Sequence, residues 1–208
     1  MVNYNIDSCF ATPIYKSNLN LPESLYSDLK SEPVVRSPAN NGWFIRIEHK
    51  EKYNRLLQEI GKHVKNYMDN LFNAGNHYKY VCNGAWVNKH DPGDFTQEHA
   101  HCHAIVSGIF YIDIPEPARE SGELSFVDHN FYPFTEFFNL DFTQYNSFNS
   151  KKISYLASKG DLYLFPSKLK HSVGANMTDK DRWSMAFDYI ITSPLENATN
   201  TISISPTK

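Results

Sequence analysis

A chain of 208 residues with 41% hydrophobic and 14% aromatic content is sufficient for one domain with a real core. A formal charge of −3 and an isoelectric point near 6.3 supply no basic field, which argues against nucleic acid as the main partner and leaves a small or peptidic one. Cys9, Cys82 and Cys102 are an odd, scattered set without a CxxC, and the amino terminus lacks a basic stretch followed by an apolar core, so a cytoplasmic protein without a disulfide framework or membrane span is expected.

In chain order, residues 11–15 read as a short strand and residues 21–30 as a short helix. Between 51 and 72, Tyr53, Leu56, Leu57, Ile60, Val64, Tyr67 and Leu71 recur at three and four with Lys and Glu between them, which predicts one amphipathic helix packed against something. The pattern then changes to strand-like runs at about 79–89, 104–114, 123–128, 152–158, 161–166, 171–176 and 182–192, separated by Asp-Pro-Gly, Pro-Glu-Pro and Ser-Lys-Gly. This order predicts a mainly β domain over 1–192, an antiparallel sandwich or barrel with helices on one outer face. Residues 193–208 form a polar tail.

The last predicted strand is the most readable. Trp183, Met185, Phe187 and Tyr189 alternate with Arg182, Ser184, Ala186 and Asp188, so one face is apolar core. The other face offers a guanidinium and a hydroxyl two residues apart, a pair suited to a carboxylate. For Arg182 taken in isolation, the competing reading is a surface ion pair with Asp181 or Asp188.

The run His99-Ala100-His101-Cys102-His103 is answered about seventy residues later by Gly160-Asp161-Leu162-Tyr163-Leu164-Phe165-Pro166 and His171. Two near histidines and one distant one form the pattern of a metal site closed by the fold. Imidazole suits iron, zinc, copper and nickel, and residues i and i+2 of an extended strand share a face. His103 shares that parity, unless a turn beginning at Cys102 releases it. Asp94 falls in a Gly-Asp turn and Glu98 is on the opposite parity from His99, so neither is expected to ligate.

Taken together, Trp86-Val87-Asn88, Gly93-Asp94-Phe95-x3-His99-x-His101, Ser107-Gly108-Ile109-Phe110-Tyr111, Gly122-Glu123-Leu124-Ser125-Phe126, the 160–166 run, His171 and Arg182-x-Ser184 resemble the iron(II)- and 2-oxoglutarate-dependent oxygenases, specifically the small ones of marine bacteria and phages. The resemblance covers nearly the whole chain. It implies a double-stranded β-helix, a jelly-roll or cupin-like barrel with the iron near its open end.

Carried over by position, the resemblance makes His99 the first metal ligand and His171 the distal one. His101 stands where the wider superfamily has Asp or Glu, which would give a neutral three-histidine set in place of two histidines and a carboxylate. Arg182 and Ser184 would bind the distal carboxylate of 2-oxoglutarate, with Tyr111 in reach of the same co-substrate. The implied reaction consumes 2-oxoglutarate and dioxygen, yields succinate and carbon dioxide, and hydroxylates a substrate, by analogy a peptide or protein. Two further readings stay open: a cupin-type metal barrel that does not use 2-oxoglutarate, and a non-catalytic binding module on the same scaffold.

Residues 129–150 gather eight Phe and Tyr side chains without a Lys or Arg, which suits a lid, a substrate platform or a homodimer contact.

Overall fold

The structure is a computed structural model, which describes residues 11–37, 41–74, 78–127 and 142–192. Among the described residues the strands are β1 (Tyr15–Asn18), β2 (Val35–Arg36), β3 (Trp43–Arg46), β4 (Tyr80–His90), β5 (Thr96–His99), β6 (Val106–Asp113), β7 (Leu124–Val127), β8 (Lys152–Tyr155), β9 (Asp161–Pro166), β10 (Lys170–Val173) and β11 (Arg182–Ile191). Helices α1 (Glu23–Lys30) and α2 (Asn54–Asn66) precede most of them. None of the described helices is long and apolar enough to cross a membrane.

The strands form a seven-stranded sheet in the order β1-β9-β6-β11-β4-β3-β2 and a four-stranded sheet in the order β5-β10-β7-β8. Both are antiparallel throughout, and together they make the double-stranded β-helix that the sequence resemblance implies. Strand alternation sorts the apolar residues into two cores. Phe110, Leu162, Leu164, Met185 and Phe187 join Leu56, Ile60 and Val64 of α2 on the outer side of the large sheet. Ile109, Tyr111, Tyr163 and Phe165 point the other way and meet Leu124, Phe126 and Val173 of the small sheet. The side chains of the site lie between the sheets.

Three local expectations are corrected. Pairing begins at Tyr15, opposite Leu164, rather than at residue 11; Pro13 has no N–H to give a ladder, and its carbonyl accepts from Tyr67 Oη at 2.9 Å. The helix expected over 51–72 is divided into a 3-10 turn (Glu51–Tyr53), α2 and a widened π turn (Tyr67–Leu71). It widens where Tyr67 turns into the core, 1% exposed, and ends at Asn73, whose φ of 50° breaks the right-handed path. The histidine pair is not carried on one continuous strand, because β5 stops at His99. Strands β2 and β3 were not expected; they are short and lack apolar alternation.

Candidate active site

β5 is the edge strand of the small sheet, and its pairing with β10 sets His99 directly across from His171. On the other side of β10, Phe126 is the register partner of His171, and the Phe165 ring lies 4.6 Å from the His171 ring. His171 is thereby 3% exposed. His101 follows two residues after the strand ends. Its backbone N–H donates to Ser167 O at 2.8 Å, tying this segment to the loop after β9. The chain then bends at residues 102–103, so His103 is released to solvent and stays outside the cluster.

One potential ligand atom from each of His99, His101 and His171 falls within 4.8 Å of the others. The other ring nitrogen of each is already engaged. His99 Nδ1 lies 2.8 Å from Gln97 O, His171 Nδ1 lies 2.9 Å from Leu169 O, and His101 Nδ1 lies 2.6 Å from Asp188 Oδ1. Each of these oxygens is an acceptor, so each Nδ1 carries a hydrogen, and in the neutral ring each Nε2 keeps the lone pair that a metal needs. Burial lowers the imidazole of His99 and pushes that of His171 down to about 3, which favours the neutral form that can ligate.

Arg182 starts β11 opposite His90 of β4, and its guanidinium is 1% exposed. The surface ion pair considered for it is therefore not formed: Asp181 pairs with Lys89, and Asp188 faces His101. Arg182 Nη1 instead donates to the carbonyls of Ser121 and, at 3.1 Å, Gly174. The guanidinium passes so close to Gly122 that a Cβ there would stand 2.3 Å from Nη1. Gly122 also has φ of +94°, which other residues rarely adopt.

Ser184 follows on the same face, across from Tyr111 of β6 and Asn88 of β4. Arg182 Nη2 and Tyr111 Oη are both fully buried without a hydrogen-bond partner among the described residues. Burial raises the Tyr111 hydroxyl and lowers the Arg182 guanidinium, each away from its exposed value. Two buried donors on neighbouring strands are the partners a carboxylate requires, and three convergent imidazole Nε2 atoms are the donors a divalent transition metal requires. The residues present fit both groups.

The carboxylates near the histidines are used elsewhere. Asp94 accepts hydrogen bonds from Nη1 and Nη2 of Arg36, each at 2.8 Å, and Glu98 pairs with Lys170 at 3.3 Å. The site also holds residues not expected as members. Trp86 stacks on His101 with ring centroids 5.8 Å apart; Ser107 donates to Asp188 Oδ1 at 2.6 Å; and His90, which burial holds at about 3, sits beside Arg182. The parity of β11 could have found Asp188, which shares the face of Arg182 and Ser184. Nothing local marks Ser107. The expected aromatic segment falls largely on residues 128–141, outside the described residues; of its described remainder, Tyr145 and Phe148 are exposed.

A double-stranded β-helix with three convergent imidazoles and a buried, acceptor-seeking guanidinium in the same barrel has the layout of a metal-dependent oxygenase. The family model described as "Putative 2OG-Fe(II) oxygenase" matches residues 84–188, half of the chain, and the protein belongs to this family. It is an oxygenase that uses iron(II) and 2-oxoglutarate. No curated protein matches the chain.

Among solved structures it is similar to a prolyl-4-hydroxylase of Pseudomonas putida, with a TM-score of 0.60 and 14% identity over 86% of this chain and 92% of that one. HygX of Streptomyces hygroscopicus, solved with nickel and 2-oxoglutarate, gives a TM-score of 0.60 and 13% identity over 87% of this chain and 84% of that one. The viral collagen prolyl hydroxylase of Paramecium bursaria Chlorella virus-1 gives 0.55 and 13% over 88% and 98%. At these identities the likeness is one of fold.

Proposed function

We propose that His99, His101 and His171 hold the iron through Nε2, and that Arg182, Tyr111 and Ser184 receive the distal carboxylate of 2-oxoglutarate. The observation that carries this reading is the match between vacant valences and ligands: the Nδ1 atoms of all three imidazoles are taken, while Arg182 Nη2 and Tyr111 Oη have no partner among the described residues. When bound, iron with 2-oxoglutarate and dioxygen supplies the oxidising power, and succinate and carbon dioxide leave. The protein's own residues do the positioning. The guanidinium fixes one end of the co-substrate by charge, Tyr111 and Ser184 fix its orientation by hydrogen bonds, and Phe126 and Phe165 keep water from the rear of His171.

The substrate class we infer is a peptide or protein, with prolyl hydroxylation first, on the support of the two prolyl hydroxylases among the structural neighbours. The free thiols of Cys82 and Cys102 support a reducing, cytoplasmic setting. A barrel that binds metal without 2-oxoglutarate would leave the two buried donors unexplained.

The test is an anaerobic titration of apoprotein with iron(II) and 2-oxoglutarate, monitored by the visible charge-transfer absorption of the chelate. Absorption in the wild type and its loss in His171→Ala are expected. Tight metal binding without the absorption would move the assignment to a cupin-like barrel. Incubation of the active enzyme with proline-containing peptides, read by mass spectrometry for one added oxygen, tests the substrate class.

A further inference from the structure

The position that brings a carboxylate to the metal in the wider superfamily is here His101, and the geometry points to Asp188 as the carboxylate displaced by one residue's depth. We infer that Asp188 is a positioning residue for the metal centre, acting through His101 to fix its ring and strengthen it as a ligand. The inference rests on the ligand set proposed above. Asp188 Oδ1 lies 2.6 Å from His101 Nδ1, a charge-assisted contact much shorter than an ordinary N–H···O bond. The other two histidines give their Nδ1 hydrogens to neutral backbone carbonyls. Of the three imidazoles, only that of His101 is therefore backed by a carboxylate among the described residues.

Asp188 is itself held in place. Ser107 on β6, its register partner and 1% exposed, donates to the same carboxylate oxygen at 2.6 Å, and the Ser107 hydroxyl lies 2.9 Å from that of the equally buried Ser167. The register of β11 against β4 shifts between Asp188 and Tyr189, an irregularity of the kind that re-aims side chains beside active sites. On β4, Trp86 stacks on the His101 ring, as does His99. His101 is thus gripped by a carboxylate edge-on and an indole face-on.

The chemical consequence concerns charge. Three neutral imidazoles leave the full charge of a divalent ion uncompensated, whereas a carboxylate hydrogen-bonded to a ligating imidazole returns part of a negative charge through the ring. A metal-ligating histidine backed in this way binds more tightly, and loss of the backing group costs about 10- to 100-fold in metal affinity.

The test is a two-by-two set: wild type, Asp188→Asn, His101→Asp and the double variant. Cobalt(II) affinity is measured anaerobically by competition with a fluorescent chelator, and the ligand-field spectrum of the bound cobalt is recorded beside it. Asparagine keeps the shape and a hydrogen-bonding oxygen, so the fold is expected to hold, checked by thermal unfolding of the apoproteins. Asp188→Asn should weaken cobalt about 10- to 100-fold with a shifted spectrum. Where His101→Asp puts a carboxylate directly at the metal, Asp188→Asn should weaken binding less than about 3-fold or tighten it, since the nearby negative charge then has no imidazole to act through. Equal losses in both backgrounds, or no loss in the wild type, would overturn the inference. His99→Ala separates the levels: if it leaves cobalt binding intact, the ligand set itself is wrong.

Discussion

Replacing Arg182 by methionine should separate binding from stability in a direction opposite to that of most core substitutions. The guanidinium is 1% exposed, and no carboxylate is paired with it among the described residues. Its removal forfeits hydrogen bonds to the Ser121 and Gly174 carbonyls, each contributing about 1 kcal/mol. It also relieves the burial of a cation, an effective penalty of several kcal/mol. The variant without co-substrate should therefore melt at or above the wild-type temperature.

With 2-oxoglutarate the order reverses. On protein loaded with nickel(II) to prevent turnover, co-substrate at one hundred times its Kd should stabilise the wild type by about 2.7 kcal/mol, or roughly 5 to 11 °C for a domain of this size. Loss of one member of a buried charge pair costs about 2 kcal/mol or more, equivalent to a Kd at least about 30-fold weaker. The same concentration should then stabilise Arg182→Met by less than about 1 kcal/mol. Differential scanning fluorimetry, with and without 2-oxoglutarate, gives both readings at once. A preserved ligand shift in Arg182→Met would refute the assignment of this pocket, and a large drop in melting without ligand would show that the guanidinium is chiefly a structural strut.

Other perturbations separate the parts of the molecule. Gly122→Ala places a Cβ 2.3 Å from Arg182 Nη1 and 2.2 Å from Gly174 O at a φ of +94°; calorimetry should show 2-oxoglutarate affinity falling at least about 10-fold, while metal affinity from chelator competition stays within about 3-fold. At Gly108 an added Cβ would stand 2.4 Å from the Phe187 ring and 2.6 Å from Tyr163 O; Gly108→Ala should cost about 1 to 3 kcal/mol in urea unfolding, and an unchanged midpoint would contradict the packing. Burial alone would raise the Glu32 carboxyl, but hydrogen bonds from Lys50, Lys52 and Tyr53 outweigh it and hold the group at about 2. A depressed carboxyl contributes fully above about pH 4.5 and loses its contribution as pH falls toward 2. Acid unfolding should therefore reveal up to about 3 kcal/mol lost across that window, with a flatter profile in Glu32→Gln.

Legibility in the sequence followed periodicity and chemistry. β11 was readable because Trp183, Met185, Phe187 and Tyr189 alternate without interruption across a strand with both faces buried. The three histidines were readable only in combination, because a short-spaced pair and a distant third stand in the same order as Arg182-x-Ser184. The bend at residues 102–103 was open on parity alone, since no Gly or Pro marks it, and it decides that His101 enters the site while His103 leaves it. The extent of β5 was not legible, because an edge strand of sequence TQEH owes its conformation to β10, not to its own residues. Parity put Asp188 on the face of Arg182 and Ser184, but its pairing with a residue 87 positions away was not legible, and the part of Ser107 shows only through what it touches.

The two ends of the site rest on supports of different strength. Arg182, Ser184 and Tyr111 stand on the central strands β11 and β6 of the large sheet, whose outer face is packed by helices. Of the proposed metal ligands, His99 closes an edge strand of four residues and His101 lies beyond any ladder. An edge so short has little cooperative structure of its own to hold two ligands to the tolerance a metal requires. The contacts that compensate all run from residue 101 to the body of the barrel: its N–H to Ser167 O, its Nδ1 to Asp188, and its ring on Trp86. The carboxylate behind His101 therefore answers a mechanical need as well as an electrical one. Aspartate directly on the metal would supply charge but would forgo the anchorage of a ring gripped at its edge and face. Histidine at 101 and aspartate at 188 act as one unit that ties the segment after β5 to β11.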